Sequence, residues 1–265
     1  MKKNLGFTLS EVMIVVAIIG VIAALTIPNV VTKFQKEAQI TQIRKIAQEL
    51  EQVVDNVTTA EGKSSFQYTN AFTEKNPVIL LNELSYTDFD CGSNGENCFA
   101  PSYKSINGSS ATFSCSGGST KQLESSASIC IIYHDEQTSS LGGFASIKLA
   151  GKAGISGSLV PPDGGIGGAE AEVNLGGKIE PLTKYEPAYF EVYIDTNGPK
   201  GGPNTGGRDM FQIFIHSDGL VYGEKPTDGK VTALPMAANY NSCKSSPLGK
   251  NCYKFLETDN WEMKY

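Results

Sequence analysis

The sequence has no cluster of lysine and arginine, and its charge balance is acidic. The 265 residues include 22 basic and 28 acidic side chains, a formal net charge of −6. Because binding to nucleic acid phosphates depends on clustered Lys and Arg, we expect no nucleic acid partner. Hydrophobic residues make up 40% of the chain and aromatic residues 9%. This composition is typical of a folded protein and not of a disordered tail.

Motifs of common enzymes and zinc proteins are also missing. The sequence has no G-x-S-x-G nucleophile elbow, no phosphate loop with G-K-[ST] and no C-x2-C pair. The two histidines, His134 and His216, lie in strand-like runs without ligand-spaced companions. A catalytic base needs a placed acid and nucleophile, and no sequence cue supplies them. We therefore expect a protein that is not an enzyme, and we disfavour a zinc site.

Six cysteines are present, and all of them lie beyond the apolar N-terminal segment. An even number in this position indicates an exported domain closed by disulfides. The spacings suggest three neighbour pairs, although six cysteines allow many other connectivities, and free thiols are the alternative. The residues are Cys91, Cys98, Cys115, Cys130, Cys243 and Cys252.

One long apolar run occurs, and it lies near the N-terminus. From Val12 to Ile27 it is interrupted only by one glycine and one threonine. Counted from Phe7, it has about 21 residues, enough for a helix to cross a bilayer of about 30 Å. Lys2 and Lys3 precede the run, which predicts a cytoplasmic N-terminus. No A-x-A cleavage site follows, so we expect the span to be retained in the membrane.

The residues at the start of this run, KKNLGFTLSE, resemble the cleavage and methylation signal of type IV prepilins and the related pseudopilins. In that family a membrane peptidase cuts between Gly and Phe and methylates the new N-terminus. The resemblance implies that Gly6 ends the leader and that Phe7 becomes the methylated first residue. Glu11 corresponds to the acid of the family motif, and Thr8, Leu9 and Ser10 fit between Phe7 and this acid. Pro28 lies where many pilins have a helix-bending proline.

Glu11 is the one acidic residue in the apolar run, and it needs a partner. A charge in a low-dielectric site persists when it is paired and is unfavourable when alone. The α-amine of Phe7 would lie about one helical turn away, in the same chain or in a neighbouring subunit. A subunit out of register would leave both groups unpaired, so the pair can set axial register. The alternative is a side chain that reaches the lipid headgroups.

The pattern after Pro28 predicts a pilin-like α+β fold. Apolar residues recur at steps of three and four as far as Val57, which indicates an amphipathic continuation of the same helix. We expect a bend at Pro28 and an end near Gly62. Strands are predicted at 126–135, 143–150, 188–195, 209–217 and 219–224, with a hairpin turn at residues 217–219. The helix would pack on this antiparallel sheet.

This interpretation divides the chain into four parts. They are a cleaved leader (1–6), a transmembrane or filament-core helix (7–28), its amphipathic continuation (29–60) and a disulfide-closed, β-rich globular head (61–265). The glycine-rich residues after 150 are expected to form a surface loop.

The connection DTNGPKGGPNTGGRD, residues 195–209, offers oxygen ligands on a glycine-rich backbone. Asp195, Asn197, Asn204 and Asp209 are the residue types that Ca²⁺ prefers. The segment resembles the loop of some pseudopilins and pilins in which calcium stabilises the head, but it lacks the EF-hand order. Its Gly, Pro and Asn content is equally expected of an ordinary chain-turning loop. Calcium is therefore a candidate cofactor and not an established one.

The resemblance implies a structural subunit of a type IV pilus or pilus-like filament. The alternatives are a pseudopilin of a type II secretion system and a minor pilin with a ligand-binding head. The implied partners are other pilin subunits, the prepilin peptidase and methylase, an inner-membrane platform protein and an assembly ATPase. The chain would lie in a bacterial inner membrane before assembly and in an extracytoplasmic filament or at the cell surface afterwards. Cys243 and Cys252 resemble the pair that closes the C-terminal loop of type IV pilins.

Overall fold

The computed structural model of the chain describes residues 8–148, 178–226 and 240–265. It confirms the predicted α+β fold, with a long N-terminal helix and antiparallel sheets. The helices are α1 (Leu9–Ala60), α2 (Asn70–Thr73), α3 (Pro77–Asn82), α4 (Tyr240–Ser245) and α5 (Cys252–Thr258), with a 3-10 turn at Phe66–Tyr68. The strands are β1 (Tyr103–Lys104), β2 (Ser110–Ala111), β3 (Ser119–Gln122), β4 (Ser128–His134), β5 (Gln137–Lys148), β6 (Lys178–Glu186), β7 (Tyr189–Asp195), β8 (Met210–His216) and β9 (Val221–Tyr222).

Helix α1 has 52 residues and continues through Pro28. It ends as the sequence predicts, because Gly62 adopts a left-handed conformation with φ of +63°. The N–H of Gly62 donates to the carbonyl of Thr59 at 3.0 Å, and the N–H of Lys63 donates to that of Thr58 at 3.0 Å. These two bonds form a Schellman motif, which satisfies carbonyl groups that the helix end would leave without a donor.

The main sheet has five antiparallel strands in the order β3-β4-β7-β8-β9. The strands predicted at 126–135, 188–195 and 209–217 are β4, β7 and β8 of this sheet. The strand predicted at 219–224 is reduced to the two residues of β9, which follow the predicted turn. The β5–β6 pair extends the β4–β7 ladder, since Gln137 faces Glu186 just beyond the pair His134 and Tyr189. The predicted strand 143–150 falls partly in β5, and the glycine-rich residues after 150 lie mostly outside the described residues.

The second half of α1 packs on one face of the sheet. Its buried positions recur at helical spacing, and the strand residues that share this core cluster fall at every second position of β4, β7 and β8. All seven residues of β8 are buried, because the other sheet face is partly covered as well. A second apolar cluster, which includes Tyr103, Cys115 and Met210, covers part of the opposite sheet face. The helix contributes Ile43, Ile46, Ala47, Leu50, Val53, Val54 and Val57, and the sheet contributes Ile129, Ile131, Phe190, Val192, Ile194, Phe211, Ile213 and Ile215.

All six cysteines form disulfides, and each pairs with its neighbour in the sequence. The bonds are Cys91–Cys98, Cys115–Cys130 and Cys243–Cys252. The cysteines are therefore not thiolate ligands for zinc in this structure.

Candidate functional site

The first half of α1 presents its apolar side chains to the outside of the molecule. Met13 is 66% exposed and Leu25 is 71% exposed, and the first fully buried apolar residue of α1 is Ile43. Within the described residues, α1 is the one helix that is long and apolar enough to cross a membrane. An apolar surface of this size needs lipid or another protein chain to cover it.

Glu11 is bonded to the residue that starts α1. Its Oε2 accepts hydrogen bonds from the backbone N–H of Thr8 and from the Thr8 hydroxyl, both at 2.8 Å. In return, the N–H of Glu11 donates to Thr8 Oγ1 at 3.3 Å. This reciprocal arrangement is a capping box, which satisfies N–H groups at the helix start. The sequence carries its T-x-x-E signature, although the partner predicted for Glu11 was the α-amine of Phe7, in the same chain or in a neighbouring subunit.

The capping box is compatible with removal of the leader. The N–H of Thr8 belongs to a peptide bond whether or not the chain is cut between Gly6 and Phe7. Glu11 would therefore keep its bonds to Thr8 in the processed chain, with the new α-amine one residue further out. Gly6 and Phe7 themselves lie outside the described residues.

Helix α1 lacks one backbone hydrogen bond at Pro28, where its apolar run ends. Proline has no N–H, so it cannot donate to the carbonyl four residues earlier. Two residues before it, the hydroxyl of Thr26 donates to the carbonyl of Ile22 at 3.0 Å. Such bonds from Thr to the preceding turn compete with the helical ladder and often accompany bending. The bend expected at Pro28 stays a prediction.

The loop 195–209, which we call the acid loop, is organised around two buried carboxylates. Asp195 is fully buried, and its Oδ2 accepts from the hydroxyl of Tyr103 at 2.6 Å. Its Oδ1 accepts from the N–H groups of Gly198 and Asn197, at 3.0 and 3.2 Å. Burial raises the pKa of Asp195 to about 6, and nearby Asp209 adds to the increase, whereas the Tyr103 hydroxyl opposes it.

Asp209 closes the other end of the acid loop. Its Oδ2 accepts from the N–H of Asn204 at 2.6 Å, and its Oδ1 accepts from that of Thr205 at 2.5 Å. Burial raises the pKa of Asp209, and the hydrogen bonds from Thr205 and Asn204 counteract this. The structure thus brings together all four residues that the sequence predicted as ligands. Asn197 and Asn204 donate through their backbone N–H groups, to Asp195 and Asp209 respectively.

Buried oxygen atoms without a hydrogen-bond donor concentrate in and beside this loop. They include the amide oxygens of Asn197 and Asn204 and the hydroxyl of Thr196. The hydroxyl of Ser128, the cross-strand partner of Asp195, is another. Carboxylate, amide and hydroxyl oxygens are the donor types that suit Ca²⁺. The described residues contain no group of three or more His, Cys, Asp or Glu side chains placed for a metal, so a cation here would rely on two carboxylates plus neutral oxygens.

The two histidines have structural partners on the sheet. His134 Nε2 lies 2.7 Å from a carboxylate oxygen of Glu191, and His216 Nε2 lies 2.9 Å from the backbone carbonyl of Glu224. Burial lowers the pKa of His216, which favours the neutral ring that donates to this carbonyl. Both rings therefore have a structural explanation in strand positions, as the sequence predicts.

Comparison with protein families finds a known motif at the N-terminus. Residues 1–27 match the family model described as prokaryotic N-terminal methylation motif. This motif is the prepilin-type signal of type IV pilins and pseudopilins, so the resemblance of KKNLGFTLSE to that signal is confirmed. No curated protein and no solved structure matches the chain. The signal implies processing by prepilin peptidase and assembly into pilus-like filaments, and with the apolar helix it fits a membrane-anchored protein.

Proposed function

We propose that this chain is a structural subunit of a type IV pilus or pilus-like filament, assembled through its processed N-terminal helix. The observation that carries the proposal is the uncovered apolar half of α1, most of which lies within the matched prepilin signal at residues 1–27. Such a helix can lie in the membrane before assembly and pack against copies of itself afterwards. Both environments cover the same apolar surface, so the transfer between them needs no refolding of the head.

The proposed maturation begins with a cut between Gly6 and Phe7, followed by methylation of Phe7. Residues 7–28 then form the membrane span and the filament core, residues 29–60 lead to the head, and residues 61–265 form the head. Because Thr8 already holds Oε2 of Glu11, the carboxylate is fixed at the first turn of α1. There it can pair with the α-amine of the same or a neighbouring subunit.

The proposed partners follow from this assembly route. They are other pilin subunits, the prepilin peptidase and methylase, an inner-membrane platform protein and an assembly ATPase. The filament would be extracytoplasmic or at the cell surface, with the disulfide-closed heads on its outside. A protein whose work is assembly needs no catalytic site, and we propose no enzymatic activity.

A pseudopilin of a type II secretion system is the second candidate, and a minor pilin with a ligand-binding head is the third. The acid loop favours the pseudopilin, because it resembles a calcium loop found in some members of that group. The closed C-terminal loop at Cys243–Cys252 favours a pilin.

The experiment that tests assembly is electron microscopy of sheared surface filaments, with mass spectrometry of their subunits. We expect filaments built of this chain, whose first residue is methylated Phe7. Replacing Gly6 with Val should leave an unprocessed precursor and no filaments, whereas the neighbouring control Leu5→Ala should be processed. A native chain that begins at Met1, or beyond Ile27, would contradict the proposal. Short envelope-bound assemblies in place of surface filaments would instead favour the pseudopilin.

We further propose that the acid loop binds calcium, held by Asp195 and Asp209 with the amide oxygens of Asn197 and Asn204. The support is that Asp195 and Asp209 are fully buried and that the amide oxygens of Asn197 and Asn204, in the same loop, are buried without hydrogen-bond donors. A bound Ca²⁺ would supply the positive charge that offsets their repulsion, and it would stabilise the head.

Thermal unfolding of the processed chain tests this calcium proposal. Calcium at 100 times its Kd should stabilise the folded state by about 2.7 kcal/mol, and chelation should remove this gain. Asp209→Asn should abolish the calcium-dependent increase in Tm, whereas Asp88→Asn, at an exposed position, should retain it. Equal Tm values with calcium and with chelator would rule the site out.

A further inference from the structure

The acid loop lies directly against the C-terminal disulfide loop, residues 243–252, with no room for side chains where they meet. A Cβ atom at Gly206 would lie 2.1 Å from the carbonyl oxygen of Ser246. A Cβ at Gly207 would lie 2.7 Å from the sulfur of Cys252 and 3.1 Å from that of Cys243. Gly206 and Gly207 of the acid loop therefore lie against the disulfide and the backbone of the loop that it closes.

Hydrogen bonds join the same two loops through other segments. The hydroxyl of Tyr265 donates to the carbonyl of Gly207 at 2.8 Å. Lys104 bridges to the acid loop, since its N–H donates to Asn204 O and its carbonyl accepts from Gly206 N–H, each at 2.9 Å. Three residues later, the N–H of Asn107 donates to the carbonyl of Lys244 at 3.0 Å. Residues 104–107 thus bind both loops at once.

The acid-loop residues at this contact also adjoin those that hold Asp209. The amides of Asn204 and Thr205 donate to the Asp209 carboxylate, and Gly206 and Gly207 follow them directly in the chain. Displacing Gly206 from the disulfide loop would therefore move the two amides that orient the carboxylate. The Asp209 carboxylate and the Cys243–Cys252 disulfide therefore belong to one packed unit, which residues 204–207 connect.

We propose that the Cys243–Cys252 disulfide controls cation binding by the acid loop. With the disulfide closed, residues 204–207 are held where the amides of Asn204 and Thr205 orient the Asp209 carboxylate. With the disulfide open, this support is lost and the cation is held more weakly. The inference rests on the calcium proposal above, and it adds the regulation of that site.

Linkage makes the effect reciprocal. If the closed disulfide tightens cation binding by some factor, the cation must disfavour opening of the disulfide by the same factor. Closure joins two thiols and passes two electrons and two protons to a thiol–disulfide oxidant, which an exported head meets outside the cytoplasm. The order of maturation would then be oxidation first and tight cation binding second.

Terbium binding to the full processed chain in detergent tests the contact between the loops. Tb³⁺ substitutes for Ca²⁺, and its luminescence can be excited through nearby tyrosines. Gly206→Ala should weaken Tb³⁺ binding roughly tenfold, a size common for coupled sites. Gly202→Ala is the matched control in the same loop, because a Cβ there meets nothing within 4 Å. Equal affinities for the two variants would overturn the proposal.

Reduction of the wild-type chain tests the reciprocal effect without any substitution. Samples are equilibrated in dithiothreitol redox buffers with calcium or with chelator, and the free thiols are trapped by alkylation and mapped by mass. Calcium should lower the equilibrium constant for opening of Cys243–Cys252 roughly tenfold, in line with the coupling above, and leave that of Cys91–Cys98 unchanged. Equal changes at both disulfides, or no change at Cys243–Cys252, would contradict a specific coupling.

A third measurement separates failure of the coupling from failure of the calcium proposal. If wild-type chain binds neither Tb³⁺ nor Ca²⁺, the calcium proposal fails and the cation control fails with it. The packing between the loops is then measured alone, as the rate of Cys243–Cys252 reduction in chelator. Gly206→Ala should be reduced faster than Gly202→Ala, and identical rates would show that the loops are mechanically independent.

Discussion

At the scale of single residues, the local bonds of Glu11 can be separated from its proposed role in assembly. Its carboxylate caps α1 through Thr8, and we propose that its charge pairs with an amine at the processed N-terminus. A capping box works with Gln as well as with Glu, because an amide oxygen also accepts from the backbone N–H of the cap residue. Substitutions at this one position can therefore distinguish the local bond from the intermolecular charge pair.

We predict that Glu11→Gln will be inserted and processed normally but will form few or no filaments. The amide keeps the bond to Thr8 and removes the charge. Glu11→Ala should fail as well, whereas Thr8→Ser, which retains the hydroxyl, should assemble. Filament yield by electron microscopy is the measurement, with immunoblots of the processed chain as the control for insertion. Normal filaments from Glu11→Gln would show that capping alone accounts for this acid.

Glu257 is a second residue whose role follows from its surroundings. Burial raises its pKa to about 7, and the nearby acids Glu224 and Glu51 add to this, whereas Lys254 and the amide of Gly223 oppose it. The carboxyl of Glu257 binds its proton more tightly in the folded state than in the unfolded state. Its contribution to the stability of the folded state is therefore most favourable below pH 4.5, and it is lost as the pH rises from about 4.5 to about 7.

We predict that Glu257→Gln will stabilise the head at pH 8 and leave its stability at pH 4.5 unchanged. After allowance for screening of this partly exposed group, the gain at pH 8 should be about 1–2 kcal/mol. Urea unfolding at both pH values measures it, with Glu262→Gln as a control at an exposed acid (its side chain is 68% exposed). A variant no more stable than wild type at pH 8 would contradict the assignment.

At the scale of elements, α1 has different partners along its length. Its second half packs on the sheet through Ile43 and the apolar positions that follow, while its first half has no cover from the described part of the head. The helix end is defined by the Schellman motif at Gly62. The chain therefore turns away from the helix axis at Gly62.

We predict that Gly62→Ala will destabilise the head by about 1 kcal/mol, the usual cost of a left-handed conformation in an L-residue. A Cβ at Gly62 meets nothing within 4 Å, so a loss of stability would report the backbone conformation and not a clash. Urea unfolding measures it, with Gly202→Ala as the control without a positive φ. Unchanged stability of Gly62→Ala would mean that the helix end relaxes at no cost.

At the scale of the whole molecule, the sheet is covered on both faces. Helix α1 covers one face, and the cluster around Tyr103 and Met210 covers part of the other. The Cys115–Cys130 bond attaches this second cover to β4 of the main sheet. This disulfide therefore holds an irregular segment onto the sheet.

We predict that removing Cys115–Cys130 as a double alanine variant will cost about 2–4 kcal/mol of unfolding free energy. Removing Cys91–Cys98 should cost less, because a bond that closes a shorter loop restricts the unfolded chain less. The sequence separations are 15 and 7 residues. Urea unfolding under non-reducing conditions gives both values, and the reverse order would refute the loop-length explanation.

The sequence alone predicted the long helix, its end at Gly62, the prepilin signal and the main strands. These features depend on neighbours within a few positions: an apolar spacing of three and four, an alternation of two, or a short motif. The capping bond of Glu11 is a local feature of the same kind, because its partner Thr8 lies only three residues away.

The tertiary structure decided the features that join distant parts of the chain. Tyr103 binds Asp195 across 92 positions, and Tyr265 binds Gly207 across 58. No local spacing encodes such contacts, because they arise only when helix and sheet pack and bring separate loops to one place. The sequence also could not predict which oxygens are buried without donors, because burial is a property of the packed molecule and not of a sequence pattern.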